Sequence, residues 1–173
     1  MIRSITLLAA SLSLGLAGYA QAPCSDEAYS QFDFWVGDWV VSTPDGTIAG
    51  TNTITKEEQG CLVLEKWSSA TGGTGQSYNY YDPARQKWRQ VWVSSSAMID
   101  YEGGLTETGS MKLEGTITYL ANAQTAPFTG EWTLNENGTV KQYFEQYDAE
   151  SDTWKPWFTG LYSPIRPQLA PED

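Results

Sequence analysis

The chain has 173 residues, with 21 acidic against 10 basic side chains, a formal net charge of −11 and no histidine. So acidic a surface repels phosphate backbones and anionic headgroups, and without imidazole no Ser-His-Asp or Cys-His device and no histidine-ligated metal or haem can be built. Aromatic residues make up 13%, too much ring for a disordered chain.

Residues 1–22 read as a signal peptide. Arg3 is a short positive start, residues 5–16 are mostly apolar, and Ala20-Gln21-Ala22 has the A-x-A form cleaved by signal peptidase. The apolar part is shorter than the ~20 residues a membrane span needs. Gln21-Ala22-Pro23 lacks the leading Leu and small residues expected before a lipidated cysteine. The expectation is an exported protein, periplasmic or secreted, with no membrane attachment once the leader is gone. Its two cysteines, Cys24 and Cys61, are then expected to form one disulfide that pins the mature N-terminus to the start of a strand.

Residues 25–31 are polar, with Asp26 and Glu27 leading, and are read as one or two helical turns. Phe32-Asp33-Phe34-Trp35-Val36-Gly37-Asp38-Trp39 follows, with four aromatics in eight residues; Trp35 and Trp39 are expected to plug one end of the core. Ten short strands come next, at 39–42, 47–55, 61–68, 77–81, 87–94, 98–102, 110–120, 128–134, 139–147 and 154–162. Turn signals separate them: Pro44-Asp45-Gly46, Gly72-Gly73-Thr74-Gly75, Asp82-Pro83, Gly103-Gly104 and Asn137-Gly138, the last read as a type I′ hairpin turn. Consecutive strands on short turns make an antiparallel meander. Ten of them close most simply into an up-and-down barrel, which removes both edges. The expected fold is all-β, one barrel domain over 23–163 behind a short N-terminal helix, with an extended tail at 164–173. A two-sheet sandwich is the alternative.

Chemistry rests on carboxylates and amides. Asp148, Glu150 and Asp152 alternate as calcium ligands would, but the loop lacks the glycine and closing glutamate of a calcium site and reads as a solvated turn. No metal or other cofactor is called for. Polar residues that alternate with rings or aliphatic side chains in strands are the candidates: Asn52, Glu65, Trp67, Asn79, Gln90, Trp92, Gln142 and Glu145. If these faces point inward they line a cavity for a small, partly apolar molecule. The alternative is that they hydrogen-bond one another and only close the barrel. Glu65 shares its parity with Cys61, Val63 and Trp67, so it is expected inside. Arg89 and Gln90 have opposite parity, so an inward Gln90 leaves Glu65 without a cation and its pKa raised.

The opening motif resembles that of a bacterial family of secreted, lipocalin-like proteins of unknown function. The likeness continues through Gly50-Thr51-Asn52, Gly60-Cys61 with Glu65 and Trp67, Gly75-Gln76-Ser77 with Asn79, and Trp88-Arg89-Gln90-Val91-Trp92, and then through Val140-Lys141-Gln142 with Glu145, Trp154 and Gly160-Leu161-Tyr162. The resemblance implies a calycin-like barrel and brings no activity. Members often carry His where Arg89 stands, Asp where Ser94 stands and Arg where Gly130 stands. Three functions are compatible with these residues. One is a binder of a small ligand. The second is an enzyme using Glu65 or Glu145 as base, a hydrolase or isomerase. The third is a saccharide-binding surface with Trp154 and Trp157 facing outward.

Overall fold

A computed structural model describes residues 22–165. The expected signal peptide therefore lies outside the described residues, apart from Ala22, as does the expected tail beyond Ile165. Ten antiparallel strands close into one barrel in sequence order: β1 (Gly37–Ser42), β2 (Ile48–Glu57), β3 (Leu62–Ser69), β4 (Thr74–Asp82), β5 (Lys87–Ser94), β6 (Ala97–Leu105), β7 (Met111–Tyr119), β8 (Thr125–Leu134), β9 (Val140–Asp148) and β10 (Thr153–Pro164). All neighbours are hairpin partners except β1 and β10, which meet from Trp39↔Pro164 to Ser42↔Leu161 and seal the barrel. Period-2 burial follows each strand, as in β9, where Val140, Gln142 and Phe144 point inward.

Four hairpins use one turn. In residues 43–47, 69–73, 106–110 and 135–139, the first residue exchanges backbone hydrogen bonds with the fourth and fifth, and the fourth is glycine at φ +80° to +93°. Asn137-Gly138 belongs to this set. Only Gly138 has positive φ there, so the expected type I′ turn is instead a type I turn followed by a left-handed glycine. Two other turn readings also shift. Gly75 lies in β4 rather than in a turn, and Gly103-Gly104 lies inside β6. A Cβ on Gly103 would collide with the Lys112 carbonyl oxygen, so that glycine is there for close strand approach.

The N-terminal helix consists of two 3₁₀ turns, Glu27–Ser30 and Asp33–Trp35, rather than an α-helix. Together they lay a plug of rings across one barrel end. Phe32 stacks on Trp35 at 4.9 Å and meets the edges of Trp88 at 5.7 Å and Trp132 at 5.3 Å. Trp39 is buried beside them, and its Nε1 donates to the Trp35 carbonyl at 2.9 Å. Ring pairs of this kind contribute about 0.5–1.5 kcal/mol each beyond their burial. Polar ties hold the plug down: Trp88 Nε1 donates to the Ala28 carbonyl at 3.1 Å, and Lys56 Nζ pairs with Asp33 and reaches the Tyr29 carbonyl. The Cys24–Cys61 disulfide fixes its leading end, with a Cα–Cα distance of 5.1 Å and a sequence separation of 37. Cys61 stands at the end of a strained connection in which Glu58, Gln59 and Gly60 all have positive φ. Among the described residues, no helix is long and apolar enough to cross a membrane.

Candidate functional site: a carboxylate below an aromatic cavity

The opposite end of the barrel is not plugged. A cavity of about 210 Å³ opens there. Its wall is mostly ring: Trp67 from β3, Trp92 from β5, Phe144 from β9, and Trp157 and Phe158 from β10, with Ile99. Its polar lining is Glu65, Gln90 and Gln142 with the rings of Tyr101 and Tyr162. The volume lies between the ~150 Å³ apolar cavities that take one benzene and the ~300 Å³ lower end of ordinary ligand pockets. A molecule of about one ring with a short substituent fits that range.

Glycines make this space. A Cβ on Gly50 would stand 2.8 Å from the Trp67 ring, and one on Gly130 would stand 2.7 Å from Phe144 and 2.9 Å from Tyr101. On Gly160 it would stand 2.7 Å from Phe158, and on Gly75 it would strike Trp92 closest of all. Side-chain carbons do not approach that near. Trp67, Trp92, Tyr101, Phe144 and Phe158 therefore lean on bare backbone.

β10 supplies two adjacent rings through a bulge. Pro156 pairs with Glu145 and Phe158 with Phe144, so Trp157 is the extra residue. The slip brings Trp157 against Phe128 and Phe144 although its neighbour Phe158 also lines the cavity. Trp157 Nε1 donates to the Tyr119 hydroxyl at 3.0 Å, and that hydroxyl donates to Gln146 Oε1. The ring is 47% exposed and sits at the rim. Trp154 instead packs on Tyr147 on the outer wall, so the two tryptophans do not form one outward row.

A continuous hydrogen-bond network runs beneath the cavity. The Tyr101 hydroxyl donates to Gln90 Oε1, and Gln90 Nε2 donates to Asn79 Oδ1. Asn79 Nδ2 donates to the Ser77 hydroxyl at 2.8 Å, and that hydroxyl donates to Glu65 Oε2 at 2.6 Å. From the other side, Asn52 Nδ2 donates to Glu65 Oε1 at 2.7 Å and to the Tyr162 hydroxyl at 3.3 Å, and Tyr162 donates to Gln142 Oε1 at 2.9 Å. Six polar residues of this network, Asn52, Glu65, Ser77, Asn79, Gln90 and Gln142, are buried. Asn52 Oδ1 is buried without a partner.

Among the described residues, Glu65 is the one carboxyl group on the cavity wall, and no basic side chain lines it. Lys66 is exposed by strand alternation, and Arg89 points outward onto Asp100 at 2.8 Å. Burial pushes the Glu65 carboxyl up to about 7, against the hydrogen bonds from Ser77 and Asn52, which pull it down. Burial first, then the nearby Glu65 charge, holds Tyr101 and Tyr162 well above the usual phenol range.

Seven of the eight sequence candidates thus come together: Asn52, Glu65, Asn79, Gln90 and Gln142 in the network, with Trp67 and Trp92 on the cavity wall. Glu145 does not join them. It shares the outer face of β9 with Tyr143, whose hydroxyl donates to it at 3.0 Å, because a residue three positions from inward Gln142 must face out. The polar strand residues hydrogen-bond one another across the barrel, and three of them, Glu65, Gln90 and Gln142, also line the cavity. Four contributors were not among the candidate cavity residues read from the sequence. Ser77, Tyr101 and Tyr162 were available by parity, each two residues from an inward neighbour. Trp157 was not, because a bulge shifts the alternation without a local signal. The acidic turn at 148–152 satisfies itself, Asp148 accepting from the Glu150 amide and the Ser151 hydroxyl. Among the described residues, no group of three or more acidic or thiol side chains could hold a metal ion. Compared with known proteins, the chain matches no family model and no curated protein.

Proposed function

We propose that this protein is an exported, lipocalin-like barrel that binds one small, partly apolar molecule in the cavity at its open end. One observation carries the reading: a barrel of eight or more strands is wide enough to hold a small ligand, and here rings packed on glycines surround about 210 Å³ above a polar floor. A cavity lined mainly by rings with a few convergent polar groups is the usual form of a small-ligand site. Export is supported by the leader-like residues 1–22 and by the Cys24–Cys61 bond, which oxidising compartments favour. The resemblance of the Phe32–Trp39 motif to secreted lipocalin-like proteins agrees with both.

A hydrolase built on two carboxylates has less support. Such chemistry needs a facing pair, and Glu65 lies inside the barrel wall while Glu145 lies outside it. Native mass spectrometry of protein purified without denaturation from its producing cell tests the proposal. A retained small molecule that departs on unfolding supports it. Bare protein that also gains no thermal stability from a panel of single-ring compounds overturns it.

A further inference from the structure

We propose that the molecule this cavity selects is an organic cation, a single-ring amine whose ammonium sits against Glu65 and whose ring is held by the tryptophans of the wall. The inference rests on the cavity being a ligand site and adds the charge of the ligand.

The first argument is the missing partner. A carboxylate taken out of water is costly unless a countercharge or a full set of donors replaces the water. Glu65 receives two donors, Ser77 and Asn52, one on each oxygen, and no cation among the described residues. A carboxylate oxygen has room for a second acceptance, and Glu65 forms part of the cavity surface. The unmet requirement therefore faces the empty space and not the protein.

The second argument is the wall. Trp67, Trp92, Trp157, Phe144 and Phe158 bring aromatic rings to one small volume. Ring faces carry negative charge density, and tryptophan binds cations best. Rings around a carboxylate favour its neutral form when the cavity is empty and favour a positive guest when it is filled. An anionic guest would meet rings and Glu65 with no basic side chain to receive it. The tyrosine hydroxyls on the floor are already committed as donors to Gln90 and Gln142, so they do not compete for the ammonium as acidic groups.

The third argument is long-range. The whole chain carries −11, and a field of that sign raises the local concentration of cations and speeds their arrival at a cleft.

The test compares three molecules of nearly one shape: 2-phenylethylamine, 2-phenylethanol and phenylacetate, titrated calorimetrically into the full mature protein at about pH 8, where the amine is protonated. The amine is expected to bind roughly tenfold or more tighter than the alcohol, with phenylacetate weakest. Glu65→Gln should abolish the preference, so that amine and alcohol bind alike. Should that variant not fold, the wild-type comparison still decides, and truncation of the rim ring by Trp157→Ala should weaken the amine more than the alcohol. If alcohol and amine bind equally, the charge assignment falls and the cavity reading stands. If phenylacetate binds best, the charge assignment also falls. If none of the three binds at millimolar concentration, the amine proposal falls, and the native mass spectrum and the wider panel decide the cavity reading separately.

Discussion

Glu65 concentrates the unusual energetics of this protein in one side chain. Its carboxyl stands at about 7 in the fold against an ordinary 4.5, and at ~1.4 kcal/mol per pKa unit the difference costs about 3 kcal/mol once the group must ionise. Below 4.5 the folded and unfolded chains both hold the proton and nothing is lost. As pH rises from 4.5 towards 7 the unfolded chain releases its proton first, so this contribution falls, and above 7 the loss is complete. Glu65→Gln removes the titration. It also offers an amide N–H to Asn52 Oδ1, which is now buried without a partner, if the Asn52 amide turns over. The melting midpoint of the variant minus that of the wild type should therefore grow from pH 4.5 to pH 8. A difference that stays flat would mean that Glu65 is hydrated. A second test at this scale concerns Gly75. Its alanine variant places a methyl group into the Trp92 ring. The cost expected is about 1–3 kcal/mol of overpacking, together with a changed Trp92 environment. Near-ultraviolet circular dichroism and thermal unfolding would detect both, and an unchanged spectrum would show that Trp92 does not rest on the strand.

At the scale of elements, the plug and the bulge do different work. The two 3₁₀ turns are too short to be stable alone. Packing of Phe32 and Trp35 and the bond to Cys61 hold them in place. A closed loop of this length stabilises a fold by about 3.5–4 kcal/mol in the chain-entropy model. Cys24→Ser with Cys61→Ser should lower unfolding free energy by that order in denaturant titration. It should leave the far end of the barrel, and any ligand affinity there, nearly unchanged. Loss of affinity in a folded double variant would mean that the two ends are coupled. Period-2 alternation and turn residues were enough to locate all ten strands, and strand parity was enough to send Asn52, Glu65 and Gln90 inward. The same rule, applied to β9, already forbade Gln142 and Glu145 from sharing a face. Glycine was the harder residue to read. Gly75 looked like part of a flexible turn because its reason for being small, the Trp92 ring, comes from another strand. The bulge at Trp157 was illegible for the same cause: it is a relation between β9 and β10, not a property of either.

At the scale of the whole molecule, nine of the ten strand pairings join sequence neighbours and the tenth joins the two ends. The nine are inexpensive to form, since each closes a short loop, while the tenth must wait until the full meander is in place. The β1–β10 junction is therefore the natural last step of folding and the natural first place to breathe. Asn52 on β2 donates to Tyr162 on β10 across the intervening β1, so the hydrogen-bond network of the cavity floor is laced over that junction. When the junction parts, Tyr162 leaves the floor and the floor ceases to exist as a surface. Occupancy of the cavity and closure of the barrel then form a single equilibrium. A guest would act as a clasp, slowing amide exchange at Val41 and Leu161 along the β1–β10 seam.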